Sequence, residues 1–412
     1  MTASLPAIRT DILRPATPGW RGWAMNWALA HAGFAFAFLR RVWPIAHFGQ
    51  TMLVTRHDDV REVLLADADF PVPYKARLDV IMGGAPFFLG MGDTEDYRRD
   101  IGAMRNVIRR EDLPALAQAT TTQAEALVEA SGGSIEVVDQ LVRNVTFDVL
   151  CPYFGIPDTP DAALRIWATR LFEFQFADDG SPALRAEVAL MAPALRAHVD
   201  TLISARRSAQ GPDDVLGRCM IEQAKGTPGF SDQQIRCALI GFLVGGLPQP
   251  PMVAPQALEQ LLRRPAALAG AMEAARAGDD ARLASFVFEA LRFDPLAPAL
   301  TRHTARDHLI AEGTPRARLV PAGTTMLASF ASAMMDERRI RAPQLFDPYR
   351  PWTDYLHFGH GLHECFGLHI NRTLLPLMLK PLLRRPSLCR QVGPGGRLLK
   401  RGPFADTLHV KF

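Results

Sequence analysis

The sequence predicts a mainly α-helical protein with small β-sheets, an α+β fold. Two observations carry this. Apolar residues recur at helical spacing through most of the 412 residues, and strand-like runs are few and short. A third, the absence of any repeat or low-complexity linker, leaves residues 1–412 reading as one unit, with residues 1–50 as an N-terminal extension.

In chain order, residues 23–39 ("WAMNWALAHAGFAFAFL") are apolar but short for a bilayer and interrupted by Asn26 and His31, so a buried or surface-lying helix is expected and no transmembrane span. "TMLVT" at 51–55 reads as a strand, and "TTTQAEALVEA" from Thr120 and "LRAEVALMAPALRAHVDTLISARR" from Leu184 read as helices. Ser231 followed by Gln234 is a capping-box start for a helix whose run from Ile235 to Val244 is apolar on most sides. "GGLPQPP" then breaks it, because Pro248, Pro250 and Pro251 lack amide donors and crowd the carbonyls behind them. A helical pattern resumes at "PQALEQLLRR", so a long central helix with a severe break is expected. "ARLVPAGTTMLAS" around 317–329 reads as two strands joined by the Pro-Ala-Gly turn, and "TLHVKF" ends the chain as a strand.

A formal net charge of +3 with scattered arginine pairs gives no phosphate track, so no nucleic-acid partner is expected. Five dispersed cysteines without a CxxC pair argue against a disulfide framework or zinc cluster, and for a reducing, cytoplasmic setting.

The chemistry-bearing stretch is "HFGHGLHECFGLHI" at 357–370. Glycines before Cys365 let a loop approach a flat cofactor, and a helix from Phe366 puts Cys365 near a helix N-terminus, where unpaired amides favour a thiolate. That suits an axial thiolate on haem iron, donating electron density for O–O cleavage. His357, His360 and His369 are at no ligand spacing with a carboxylate and read as surface or loop histidines.

Residues 358–367, "FGHGLHECFG", resemble the haem-binding loop of the cytochrome P450 superfamily, F-G-x-G-x-H-x-C-x-G, at Phe358, Gly359, Gly361, His363, Cys365 and Gly367. "FEALRFDP" resembles that family's E-x-x-R helix through Glu289 and Arg292, and "FDPYRP" supplies Arg350 to the same ion network. "LTRHTARD" resembles the following segment, making Arg302 a haem-propionate partner, with His363 facing a propionate too. "GDTEDYRRDIGAMRNVIRRED" places Tyr97, with Arg98 beside it, where a histidine is usual. The resemblance implies a cytochrome P450-like fold, soluble bacterial in type, holding haem b with Cys365 as the axial iron ligand.

The resemblance also marks a departure. Family members that activate dioxygen carry A-G-x-D/E-T on the central helix; here Gly245, Gly246, Leu247, Pro248 and Gln249 stand instead. Proline and a glutamine amide do not titrate, so the usual proton relay is missing. A peroxide or organic hydroperoxide needs no such relay, which points to a peroxygenase or hydroperoxide isomerase, with Gln249 beside Gly245 and Gly246 at the reacting group. The alternative is a dioxygen-dependent monooxygenase with a separate ferredoxin and reductase; a haem protein without catalysis ranks third. Segments 78–90, 171–180, 242–247 and 295–300, rich in Phe, Leu and Met, would line a pocket for an apolar small-molecule substrate.

Overall fold

The computed structural model describes residues 32–177, 180–207, 211–401 and 404–412. Residues 23–31 of the first apolar stretch lie outside them, and the remainder forms helix α1, Ala32–Val42. The strands of the main sheet are β1 (Ile45–Phe48), β2 (Thr51–Val54), β3 (Leu300–His303) and β4 (Thr325–Ala328). The helices that position the site are α2 (Glu95–Val107), α3 (Ala163–Ala177), α4 (Asp232–Gly246), α5 (Pro250–Leu262), α6 (Asp280–Phe293) and α7 (Leu368–Leu383). Helix predominates and the sheets are small, as the periodicity predicts.

The strand expected at 51–55 and strands late in the chain share one sheet. β2 runs parallel to β4 with Met52 opposite Met326, and β4 pairs antiparallel with β3, giving the order β1-β2-β4-β3. The Pro-Ala-Gly turn therefore closes no hairpin. Arg318–Val320, before it, pairs with His308–Ile310 in a two-stranded sheet, while β4, after it, joins the main sheet. Turn chemistry specifies a reversal but not its partners, which burial of Met52, Val54, Met326 and Ala328 decides. β1 lies within residues 1–50, yet it pairs along its whole length with β2.

Helix α4 begins as its capping box specifies: Ser231 Oγ accepts from the Gln234 amide at 3.3 Å, and Gln234 Oε1 accepts from the Ser231 amide at 3.1 Å. It ends at Gly246, and α5 begins at Pro250, where a missing amide is tolerated. The interruption is smaller than three prolines suggest, because Leu247 and Gln249 keep right-handed helical angles and only residues 247–249 leave the helix. Asp232–Leu262 is the one described segment long and apolar enough to cross a bilayer, but 72% of its apolar window is buried inside the protein. It is the core helix: α3 packs on α4, and both α6 and α7 pack on α5.

Candidate functional site

Cys365 sits on a loop between α6 and α7. Its amide donates to Phe358 O at 2.8 Å, which closes the loop, and Leu368 N donates back to Cys365 O at 3.1 Å as α7 starts. Two glycines make the loop possible. Gly359 has φ +74°, and Gly361 has φ +77° with a Cβ position only 2.9 Å from Leu64 O, so a side chain there meets both backbone strain and a clash. The Gly367 amide bonds the Cys365 sulfur, but burial pushes the thiol up to about 11. Helix α7 starts two residues beyond Phe366, at Leu368, and the protein alone therefore holds a thiol; a thiolate needs the positive charge of a bound metal.

Beneath the loop, Glu289 on α6 is fully buried. Its carboxylate accepts from Arg292 Nε at 2.9 Å and Nη2 at 2.7 Å, from Arg350 Nε at 3.3 Å, and from Tyr355 Oη at 3.0 Å. Arg292 also donates to Met334 O, and Arg350 to Arg341 O and Ala342 O, so every charge is bonded. Phe358 ties this network to the loop, its ring 5.9 Å from that of Phe288.

Above the loop, the Phe366 ring stacks on Phe242 of α4 at 5.0 Å and lies 5.8 Å from Phe88. Phe154 also stacks on Phe242, at 5.7 Å. Two of the apolar segments expected to form a pocket, 78–90 and 242–247, thus meet beside Cys365. Gly245 and Gly246, the next turn of α4, face space: a Cβ on either would meet no atom within 4 Å. Gln249 is half-buried and makes no side-chain hydrogen bond among the described residues.

Other expected residues divide. Arg302 on β3 is 3% exposed, and its hydrogen bond goes to the neighbouring Thr301 O at 3.1 Å, so a buried cation stands without a carboxylate among the described residues. His363 is buried with Nε2 3.0 Å from Asp67 Oδ1, but without the alignment of a hydrogen bond. Tyr97 is buried on α2 and donates to Leu362 O at 2.6 Å, so its proton braces the loop. Arg98 is not brought in: it spans Asp93 on an exposed face, at 2.8 and 2.7 Å. Sequence could not separate Arg98 from its neighbours, since one residue on a helix turns a side chain by about 100°. His357 is no surface residue either. It is half-buried, bonded through Nε2 to Phe288 O at 2.9 Å, and burial pushes it down to about 4. His360 and His369 remain peripheral, against Arg61 and Arg110. Tyr355 and Asp67 carried no sequence signal, because nothing in their local pattern distinguishes them.

These residues fit haem b. Arg302 and His363 would offer donors to the two propionates, Gly245 and Gly246 leave room for a flat ring, and Cys365 would supply a sulfur ligand to its iron. Bound there, the iron would supply oxidative chemistry at the O–O bond, with Cys365 as electron donor. The class of protein so defined is a haem-thiolate oxidoreductase.

A family model described as Cytochrome P450 matches residues 281–392. Among curated proteins, the chain is 27% identical over 300 residues to cytochrome P450 monooxygenase PikC of Streptomyces venezuelae, covering 72% of this chain and 68% of that one. It is 26% identical to erythromycin C-12 hydroxylase of Saccharopolyspora erythraea, covering 81% of each. Among solved structures, P450BioI in complex with an acyl carrier protein ligated to hexadec-9Z-enoic acid superposes at a TM-score of 0.80, with 19% identity over 94% of this chain and 100% of that one. A mutant of P450 EryK with erythromycin B superposes at 0.77, with 23% identity over 94% and 97%. The family model, the curated relatives and the solved structures together support a bacterial-type cytochrome P450.

Proposed function

We propose that this chain oxidises or isomerises an apolar small molecule with oxygen already at the peroxide level, as a peroxygenase or hydroperoxide isomerase. One observation carries the reading: between Gly245 and Pro251 the central helix bears no carboxyl or hydroxyl side chain. Proton delivery to bound dioxygen needs a group that titrates or rotates, and neither Pro248 nor the Gln249 amide does so. A hydroperoxide brings its oxygen reduced by two electrons and one proton of its own. Gln249, half-buried and with its amide unengaged, supplies a donor and an acceptor beside it. Phe88, Phe242 and Phe366 make the surroundings apolar. We place the protein in the cytoplasm, as one unit.

A second reading is favoured by the curated relatives, which are named monooxygenases and hydroxylases. Under it, water replaces the missing side chains and a separate ferredoxin and reductase supply electrons. The haem-loaded protein decides between them. Turnover of cumene hydroperoxide without any electron donor is expected, and Gln249→Ala is expected to slow it or alter its products. Oxidation that occurs only with NAD(P)H, ferredoxin, reductase and dioxygen overturns the first reading.

A further inference from the structure

Just before Cys365 the backbone hydrogen bonds change pattern. Residues Gly361–His363 make a single 3-10 turn, closed by Glu364 N donating to Gly361 O at 3.1 Å. One residue further on, the same pattern would send the Cys365 amide to Leu362 O. It goes instead to Phe358 O at 2.8 Å, across the loop. That choice leaves the carbonyl of half-buried Leu362 without an amide, and a carbonyl shielded from water without a partner is destabilising.

Tyr97 takes the place of that amide. Its hydroxyl donates to Leu362 O at 2.6 Å, and no other donor reaches this oxygen among the described residues. The side chain is 5% exposed, and its ring lies edge-on to that of His363 with 6.0 Å between centroids. Its backbone is fixed as well, because Tyr97 N donates to the Thr94 hydroxyl that caps α2, at 3.1 Å. Burial pushes the Tyr97 pKa up, so the hydroxyl keeps its proton. A phenol has one hydrogen to donate. Committed to Leu362 O, it is not available to a propionate, the partner that the family resemblance implies for this position.

We propose that Tyr97 is a positioning residue for the sulfur: by occupying Leu362 O it keeps the Cys365 amide on Phe358 O, and so holds Cys365 in place for the iron while taking no part in binding the propionates. Without the hydroxyl, Leu362 O competes with Phe358 O for the Cys365 amide. The turn then extends by one residue and carries the sulfur with it. The inference needs only that Cys365 ligates haem iron, and it is indifferent to whether the oxidant is a hydroperoxide or dioxygen.

The test uses haem-loaded protein and Tyr97→Phe, which keeps the ring and its burial and deletes one oxygen. The carbon monoxide complex of the reduced protein is followed in mild urea. Its thiolate signature is expected to decay about tenfold faster than the parent's, the effect of one buried hydrogen bond. Tyr153→Phe, which removes a hydroxyl that donates to Asp112 at 2.9 Å, is expected to keep the parent's rate. Haem transfer to an excess of acceptor apoprotein is then compared between Cys365→Ser and the double variant Cys365→Ser with Tyr97→Phe. With no thiolate left to position, the two should lose haem at the same rate. An unchanged decay in Tyr97→Phe overturns the proposal, as does an equal acceleration in Tyr153→Phe, which would make the effect a general loss of stability. Faster haem loss from the double variant than from Cys365→Ser would put the hydroxyl on a propionate and overturns it too.

Discussion

Glu289 and Arg292, one helical turn apart on α6, form a bidentate ion pair at 2.7 and 2.9 Å with neither side chain exposed to solvent. Such a pair on a solvated helix contributes a few tenths of a kcal/mol. Buried, it cannot be half removed, since the survivor would be an unpaired charge in the core.

Arg292→Leu is therefore expected to lower unfolding free energy by about 3–5 kcal/mol, read from urea unfolding of the purified protein. Arg292→Lys should recover little, because an ammonium cannot reach both Glu289 oxygens together with Met334 O and Leu345 O. If the lysine variant is as stable as the parent, the fork geometry is not what braces the loop.

At the loop itself, Cys365→Ser should abolish the thiolate signature in the carbon monoxide difference spectrum of reduced protein. Gly361→Ala should weaken haem retention while leaving Cys365 in place, since the added carbon meets Leu64 O at 2.9 Å in a left-handed backbone. The backbone strain alone is worth about 1–3 kcal/mol. Haem content after gel filtration measures it, and full retention would mean the loop relaxes freely.

Arg302 gives a prediction whose two halves have opposite sign. Without haem it is a buried cation lacking a carboxylate among the described residues, so Arg302→Met should raise the stability of the haem-free protein. With haem it loses a charge-assisted bond to a propionate, so haem transfer to an excess of acceptor apoprotein should speed up about tenfold or more. Both changes in the same direction would place Arg302 away from the propionates.

How far this was legible in the sequence depended on how local each signal is. The Cys365 loop is readable because close approach and two positive φ angles force glycine at fixed spacing, and the Ser231 cap because its partners lie within one turn. The pairing of β2 with β4 is not readable, as it joins residues 51–54 to 325–328 through burial rather than motif. Arg98 and Arg302 show the same contrast: both are arginines near apolar helices or strands, and only tertiary packing exposes the first and buries the second.

Gln175 on α3 is 2% exposed, and neither its amide oxygen nor its nitrogen has a partner among the described residues. Gln175→Leu, close in volume and apolar, is expected to stabilise the protein by about 1–3 kcal/mol. Thermal unfolding of the two proteins side by side measures this, and a loss of stability would show that the amide is satisfied in solution.

His357 sets a pH dependence. Burial holds its folded pKa at about 4, below the ordinary value of 6.5, against the opposing hydrogen bond to Phe288 O. Above pH 6.5 the imidazole is neutral in both folded and unfolded chains and contributes no slope. As pH falls from 6.5 towards 4, the unfolded chain takes up a proton that the folded chain refuses, so stability falls by up to about 1.4 kcal/mol per pH unit, and the loss levels off below the folded pKa. His357→Gln keeps a donor for Phe288 O but cannot titrate, so its urea midpoint should fall less than the parent's between pH 7 and pH 4.5. Parallel curves for the two proteins would assign the acid sensitivity to other groups.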